Sequence, residues 1–331
     1  MAAALIYSTI IYYFASIGLF FNFLLIHLII RYTMKEMQVY SRILLQTCIV
    51  DIIGICLFAI TQPVFVNDNG IGTMWSYGII HYLPNPWQHL FNTFNNFMGR
   101  VTNMNVSTLF IYRYLTVVKE VNINFKKHLI LIIIGLLPII ILNIIAHILH
   151  NPTPENEYLT NYELAKILEL DNYTLNNYIV AQRVEKTKNL TTYLANYAIS
   201  LNIINYIIII YCGIKIQIKV YKHCKGIEMS QLRYMNKQIT IVLVAQGILP
   251  LFTFLSNVIA NLSVLLNLFN FSSSYIEIFL STGLGYSIAI LNPIVTMLSV
   301  RNYRQKIFCC KICKNNVHQV APMVETTTHN I

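Results

Sequence analysis

Seven long apolar stretches, free or nearly free of charge, decide what this 331-residue chain can fold into. They cover about 5–30, 43–66, 87–118, 129–151, 190–214, 238–262 and 276–300. A helix needs about 20 apolar residues to cross the hydrocarbon core of a bilayer, and each stretch reaches that length. Asp51 is the one charge in the second stretch, and Arg100 and Arg113 stand in the third. Only 11% of the chain is charged, against roughly 25% in a soluble domain. That excludes a secreted disulfide scaffold, a nucleic-acid-binding domain and a disordered tail. The reading is an all-α membrane protein, a seven-transmembrane helix bundle.

The positive charges orient it. Nothing basic precedes the first stretch, so it lacks the positive flank of a signal peptide; Arg31, Lys35 and Arg42 follow it. Residues 67–86 contain no Lys or Arg, whereas Lys119, Lys126 and Lys127 follow the third stretch. Lys215, Lys219, Lys222, Lys225, Arg233 and Lys237 separate the fifth from the sixth, and Arg301, Arg304, Lys306, Lys311 and Lys314 follow the seventh. Positive residues gather on the cytoplasmic side. The expected topology has the N-terminus outside and the C-terminus cytoplasmic. The connection at 152–189 carries both signs of charge, and connections of that length translocate with little regard to charge. It is expected to be extracellular, with a short helix from the capping-box spacing of Thr160 and Glu163 and a glycosylation acceptor at Asn172. No cysteine lies between residues 57 and 211, so no disulfide is expected there.

Polar residues inside the stretches share a depth. Asn22 precedes Arg31 by nine residues, Asp51 follows Arg42 by nine, Gln246 follows Lys237 by nine, and Asn292 precedes Arg301 by nine. At 1.5 Å per helical residue this is roughly 13 Å above the cytoplasmic edge. Asn105, eight residues before Arg113, lies near the same level. Groups at one depth can satisfy each other, which makes a buried carboxyl tolerable. The layer is expected to hold either a sodium ion near Asp51 or a neutral Asp51. Pro250 and Pro293 lie beside it; proline frees a helical carbonyl and permits a bend.

The third stretch carries a second pattern. Asn92, Asn96, Arg100, Asn103 and Ser107 fall on one helical face, which on a spanning helix must point into the bundle or a watery cavity. Arg100 and Pro250 each stand thirteen residues above their cytoplasmic cation. The functional reading is a cavity open to the outside, with Asn96, Phe97, Arg100 and Asn103 on one wall and Phe252 opposite. Such a pocket suits a small organic molecule. The structural alternative is an arginine that snorkels to the surface. Beyond the seventh stretch, Tyr303, Ile307 and Phe308 alternate with Arg304, Lys306 and Lys311, an amphipathic run suited to an anionic leaflet. This cytoplasmic segment and tail spans 301–331. Cys309, Cys310 and Cys313 there suit palmitoylation; zinc with His318 is the alternative.

Asn22 in the first helix, Asp51 in the second, Arg113 at the inner end of the third and Asn292-Pro293 in the seventh resemble the plan of rhodopsin-like G-protein-coupled receptors. The chain departs from it: the usual cysteine bridge is absent, and Thr296 stands where a Tyr follows Asn-Pro. Those departures, with Gln246-Gly-Ile-Leu-Pro250, Asn292-Pro-Ile-Val-Thr296 and Tyr303-Arg304, resemble the nematode serpentine chemoreceptors of the Str superfamily. Tyr40-Ser-Arg-Ile-Leu-Leu45 and Tyr112-Arg113-Tyr114 are in keeping with its Srd branch. The resemblance implies a receptor for environmental chemicals in the plasma membrane or sensory cilia, signalling through a heterotrimeric G protein. It also implies coupling contacts at Tyr112, Arg113, Lys119, Lys126, Lys222, Arg233, Tyr303 and Arg304.

Two other classes of protein fit the sequence less well. An enzyme would need a nucleophile elbow, a phosphate loop or a metal-ligand set, and the single His147/His150 pair supplies too few ligands. A transporter or ligand-gated channel would fit the hydropathy, but no internal repeat is present, and the charge pattern opposes an N-terminus inside.

Overall fold

The computed structural model describes residues 2–32, 38–68, 71–84, 86–152, 180–185, 189–223, 245, 247–249, 251 and 274–308. Gln246, Pro250, Phe252, Arg233, Asn172, the helix expected near Thr160, and Cys309, Cys310 and Cys313 lie outside these residues.

Five of the apolar stretches and the polar third one form helices, the fifth running nine residues past its expected end at 214. These are α1 (Ala2–Tyr32), α2 (Gln38–Thr61), α3 (Trp87–Val117), α4 (Phe125–Leu149), α5 (Asn189–His223) and α6 (Ser274–Ser299), the last being the seventh stretch. A short helix α7 (Arg301–Phe308) follows. Of the sixth stretch, Ala245, Gly247 to Leu249 and Leu251 are helical. α3 packs against α2, α4 and α5, and α1 against α2 and α6. Gly18 allows the close approach of α1: a Cβ there would press on Ile55 of α2 and Ile290 of α6.

Helix α2 stops at Thr61, five residues earlier than the hydropathy implies. Gln62 takes a left-handed conformation (φ 42°), and Pro63 cannot continue the helical ladder. The chain instead enters a strand, so the all-α reading needs correction. β1 (Pro63–Asp68) pairs antiparallel with β2 (Ile71–Ser76), and β2 pairs antiparallel with β3 (Val180–Glu185). β3 belongs to the long connection after α4, so the sheet joins two loops at one end of the bundle. Val64 and Trp75, cross-strand partners, are fully buried. Gly78 then lies against the end of α2, donating to Thr61 O at 3.1 Å; a Cβ there would overlap the Ile60 carbonyl.

Burial is divided between the two ends. Away from the sheet lies an apolar core of Leu25, Leu44, Phe110, Ile216, Val300 and Tyr303, among others. Towards the sheet the interior is polar, with Gln88, His89, Asn92 and Asn95 all buried on α3. The outside is the reverse of a soluble protein: Ile130, Ile134, Leu137, Ile148, Ile207 and Ile210 are exposed. Four helical segments, Leu5–Tyr32, Ser41–Thr61, Phe125–Leu149 and Asn189–Lys222, are long and apolar enough to cross a membrane. Helices meeting in lipid gain from close packing and interhelical hydrogen bonds, since lipid tails already solvate their apolar faces.

Candidate functional site

The sheet is fastened to α3 by side chains rather than by a covalent bridge. His89 Nδ1 lies 2.9 Å from Ala181 O of β3, and its Nε2 lies 2.8 Å from His147 O of α4. The His147 ring stacks on His89 at 4.3 Å and so faces into the bundle. Gln182 Nε2 donates to Thr93 Oγ1 at 3.0 Å, and Asn96 Nδ2 donates to Gln182 Oε1 at 3.3 Å. Arg183 N donates to His150 O at 3.1 Å. On the other strand, Asn92 Nδ2 donates to Ser76 Oγ.

These bonds divide the polar stripe of α3. Asn96, expected on the cavity wall, holds the roof together with Asn92. One turn deeper the stripe is unpaired. Arg100 Nη1 and Asn103 Oδ1 are buried, and among the described residues neither has a hydrogen-bond partner. Phe97 stacks on Phe94 at 6.1 Å, and Phe94 is exposed on the outside of the bundle. The last residue of the stripe, Ser107, donates to Asn205 Oδ1 of α5 at 2.9 Å.

The mid-bundle layer forms two separate groups. In the first, Asn292 Nδ2 donates to Asp51 Oδ2 at 3.3 Å. Asn22 Nδ2 donates to Gly18 O at 2.9 Å and to Ala289 O at 3.1 Å. Ala289 O is the carbonyl left without its helical N–H by Pro293. Asn22, Asp51 and Asn292 are buried, and each keeps one Oδ1 with no hydrogen-bond partner among the described residues. The second group corrects the expected depth of Asn105, which does not join them. It lies against α2 a turn from Asp51, donating to Thr47 Oγ1 at 3.0 Å and accepting from Gln46 Nε2 at 3.1 Å. His128 Nε2 of α4 lies 2.9 Å from Gln46 Oε1, which carries this group across three helices.

At the end away from the sheet, the residues expected to meet a partner differ in exposure. Lys119, Lys126, Lys222 and Arg304 are exposed, and Arg113 is half-buried. Tyr112 and Tyr303 are corrections: both are buried in the apolar core. The Tyr112 ring meets His128 edge-on at 5.5 Å. Tyr303 anchors α7, while Arg304 Nη1 donates to Leu298 O at 3.3 Å near the end of α6. Lys219 Nζ on α5 pairs with Glu120 Oε1 at 2.9 Å, a tie with no counterpart in the sequence reading. Among the described residues no group of three His, Cys, Asp or Glu could hold a metal ion.

The helices, with amides and a carboxyl at mid-bundle and a short α7 turning away after α6, define the seven-transmembrane fold of G-protein-coupled receptors. The crystal structure of squid rhodopsin is similar, with a TM-score of 0.63 over 94% of this chain and 89% of that one, at 13% identity. That likeness is one of fold. No curated protein matches the chain. Residues 7–308 match the serpentine type 7TM GPCR chemoreceptor Str family, and the chain belongs to that family. It is therefore a multi-pass membrane protein of a receptor family, one whose members in general take a small-molecule ligand and a G protein.

Proposed function

We propose that the chain is a chemosensory receptor that binds a small environmental molecule beneath the sheet and activates a heterotrimeric G protein at the opposite end. The observation that carries this reading is the unpaired polar patch at Arg100 and Asn103. An ionisable group inside a membrane bundle is expensive and belongs to a functional site by default. In this reading the sheet faces outward, Met1 is outside and Ile331 is cytoplasmic, as the Lys and Arg distribution favours. The plasma membrane, including sensory cilia, is the proposed location. Placement in the Srd branch rests on the motifs at Tyr40, Asp51 and Tyr112 alone.

Transmission would run through the Asp51–Asn292 pair to Arg113, where a partner helix would dock. Asp51 and Asn292 each keep an oxygen without a hydrogen-bond partner among the described residues, the kind of ligand a hard cation takes, and they would hold sodium there. Asn172 glycosylation and lipidation of Cys309, Cys310 and Cys313 are further proposals.

Arg113→Ala tests the reading. It should abolish nucleotide exchange on the G protein while surface expression stays intact. Exchange that survives the change makes Arg113 an anchor only. Antibody access to a tag at Ile331 on intact cells would overturn the topology, and current evoked by ligand without any G protein would favour a channel.

A further inference from the structure

The polar stripe of α3 changes character one turn below the roof. Asn96 closes on Gln182, but Arg100 meets no acceptor among the described residues, and its Nη1 is sealed from solvent. No carboxylate among the described residues pairs with it. The charge of Arg100 reaches His150, just past the end of α4. His150 Nε2 is itself buried without a hydrogen-bond partner, and its carbonyl is held by Arg183 of β3. A guanidinium on α3 and an imidazole just past the end of α4, under one strand, are thus left with unused nitrogens. A buried charge without its counter-charge is strongly unfavourable. It is tolerated where something else completes the pair.

We propose that the ligand is a small organic acid whose carboxylate pairs with Arg100, with His150 supplying a second nitrogen. The guanidinium fork matches a carboxylate in a planar, bidentate pair that an ammonium cannot reproduce. Asn103, three residues on and with its own oxygen unpaired, borders the same site. Asn96 and Gln182 close the site on the side of the sheet. This assignment rests on the receptor reading and names the chemistry its ligand must carry.

The test is thermal unfolding of the purified full-length receptor with short- and medium-chain monocarboxylates and benzoate, each against its methyl ester. At least one acid should raise the unfolding temperature while its ester does not. Arg100→Gln should remove that rise, and Arg100→Lys should keep part of it. His150→Asn should weaken the acid's apparent affinity severalfold. Arg100→Gln should also stabilise the empty receptor, because it removes an unpaired buried charge; this shows at once that the variant folds. Equal stabilisation by esters, no stabilisation by any of the acids, an acid effect that persists in Arg100→Gln, or loss of stability in empty Arg100→Gln would each overturn the proposal. Basal nucleotide exchange on a G protein reports separately on the receptor reading. Exchange without acid binding sinks this inference alone, and absence of exchange sinks the reading beneath it.

Discussion

Asn22 of α1 donates its side-chain amide to Ala289 O of α6, the oxygen that Pro293 deprives of a helical partner. One residue thus repairs at 3.1 Å a defect that another creates. Asn22→Ala should cost about 1–3 kcal/mol, the usual penalty for leaving a buried polar group unsatisfied. In a Pro293→Ala background the backbone N–H returns, and the same change should cost less by about 1 kcal/mol, a coupling typical of residues sharing a partner. Thermal unfolding of the four proteins of the cycle measures it. Strict additivity would mean the bond has no energetic link to the proline.

Asp51→Asn keeps the shape of the pair with Asn292 while removing the charge. It should leave surface expression intact and change signalling, and any stabilisation by sodium should vanish. Asp51→Leu strands the Asn292 amide and should cost about 1–3 kcal/mol as well as expression. The reciprocal exchange, Asp51→Asn with Asn292→Asp, should recover what either change alone loses in stability. Surface labelling and unfolding with and without sodium decide the matter.

His89→Phe keeps a ring to stack on His147 but removes both contacts to backbone carbonyls. A neutral imidazole has one N–H and can serve only one carbonyl at a time, so the clamp is worth about one bond unless the ring is charged. Hydrogen exchange should quicken at Ala181 and Gln182, with about 1 kcal/mol lost in stability. Unchanged exchange there would show that the strand pairing with β2 alone holds β3 down.

Tyr303→Ala should behave as a core truncation and cost about 3–5 kcal/mol, because the ring is buried beside Val300 and Met297. Arg304→Ala, on an exposed side chain, should stay within about 0.5 kcal/mol of the parent. The opposite ranking would restore Tyr303 to the partner surface.

The helices were legible because an uncharged stretch of spanning length has few other fates. Asp51 and Asn292 were legible because helical rise turns sequence offset into depth. The strands were not. Each is only six residues long, and β3 pairs with a segment more than a hundred residues earlier. One available signal went unused: Pro63 sits inside the second apolar stretch and ends α2 before the hydropathy does. Depth also misplaced Asn105, since offset from a flanking cation says nothing about which way a side chain points. It turns to Thr47 and Gln46 rather than to Asp51. The roles of Asn92 and Asn96 depended on β3 and on the hairpin, so the stripe looked like a uniform cavity wall. Tyr303 was misjudged for a related reason: an amphipathic octet shows two faces without saying which tyrosine meets the core.

The sheet is bound to α3 without any thiol at that end of the molecule, since no cysteine lies between residues 57 and 211. A covalent staple has two conditions, intact or reduced; a set of hydrogen bonds has a melting curve. Any opening of the roof is therefore a thermal event, at a rate that temperature and denaturant set and that reducing agents leave untouched. Folding at that end needs no oxidising compartment, and a ligand seated beneath it, as proposed above, would be released at a pace set by bonds of about 1 kcal/mol each.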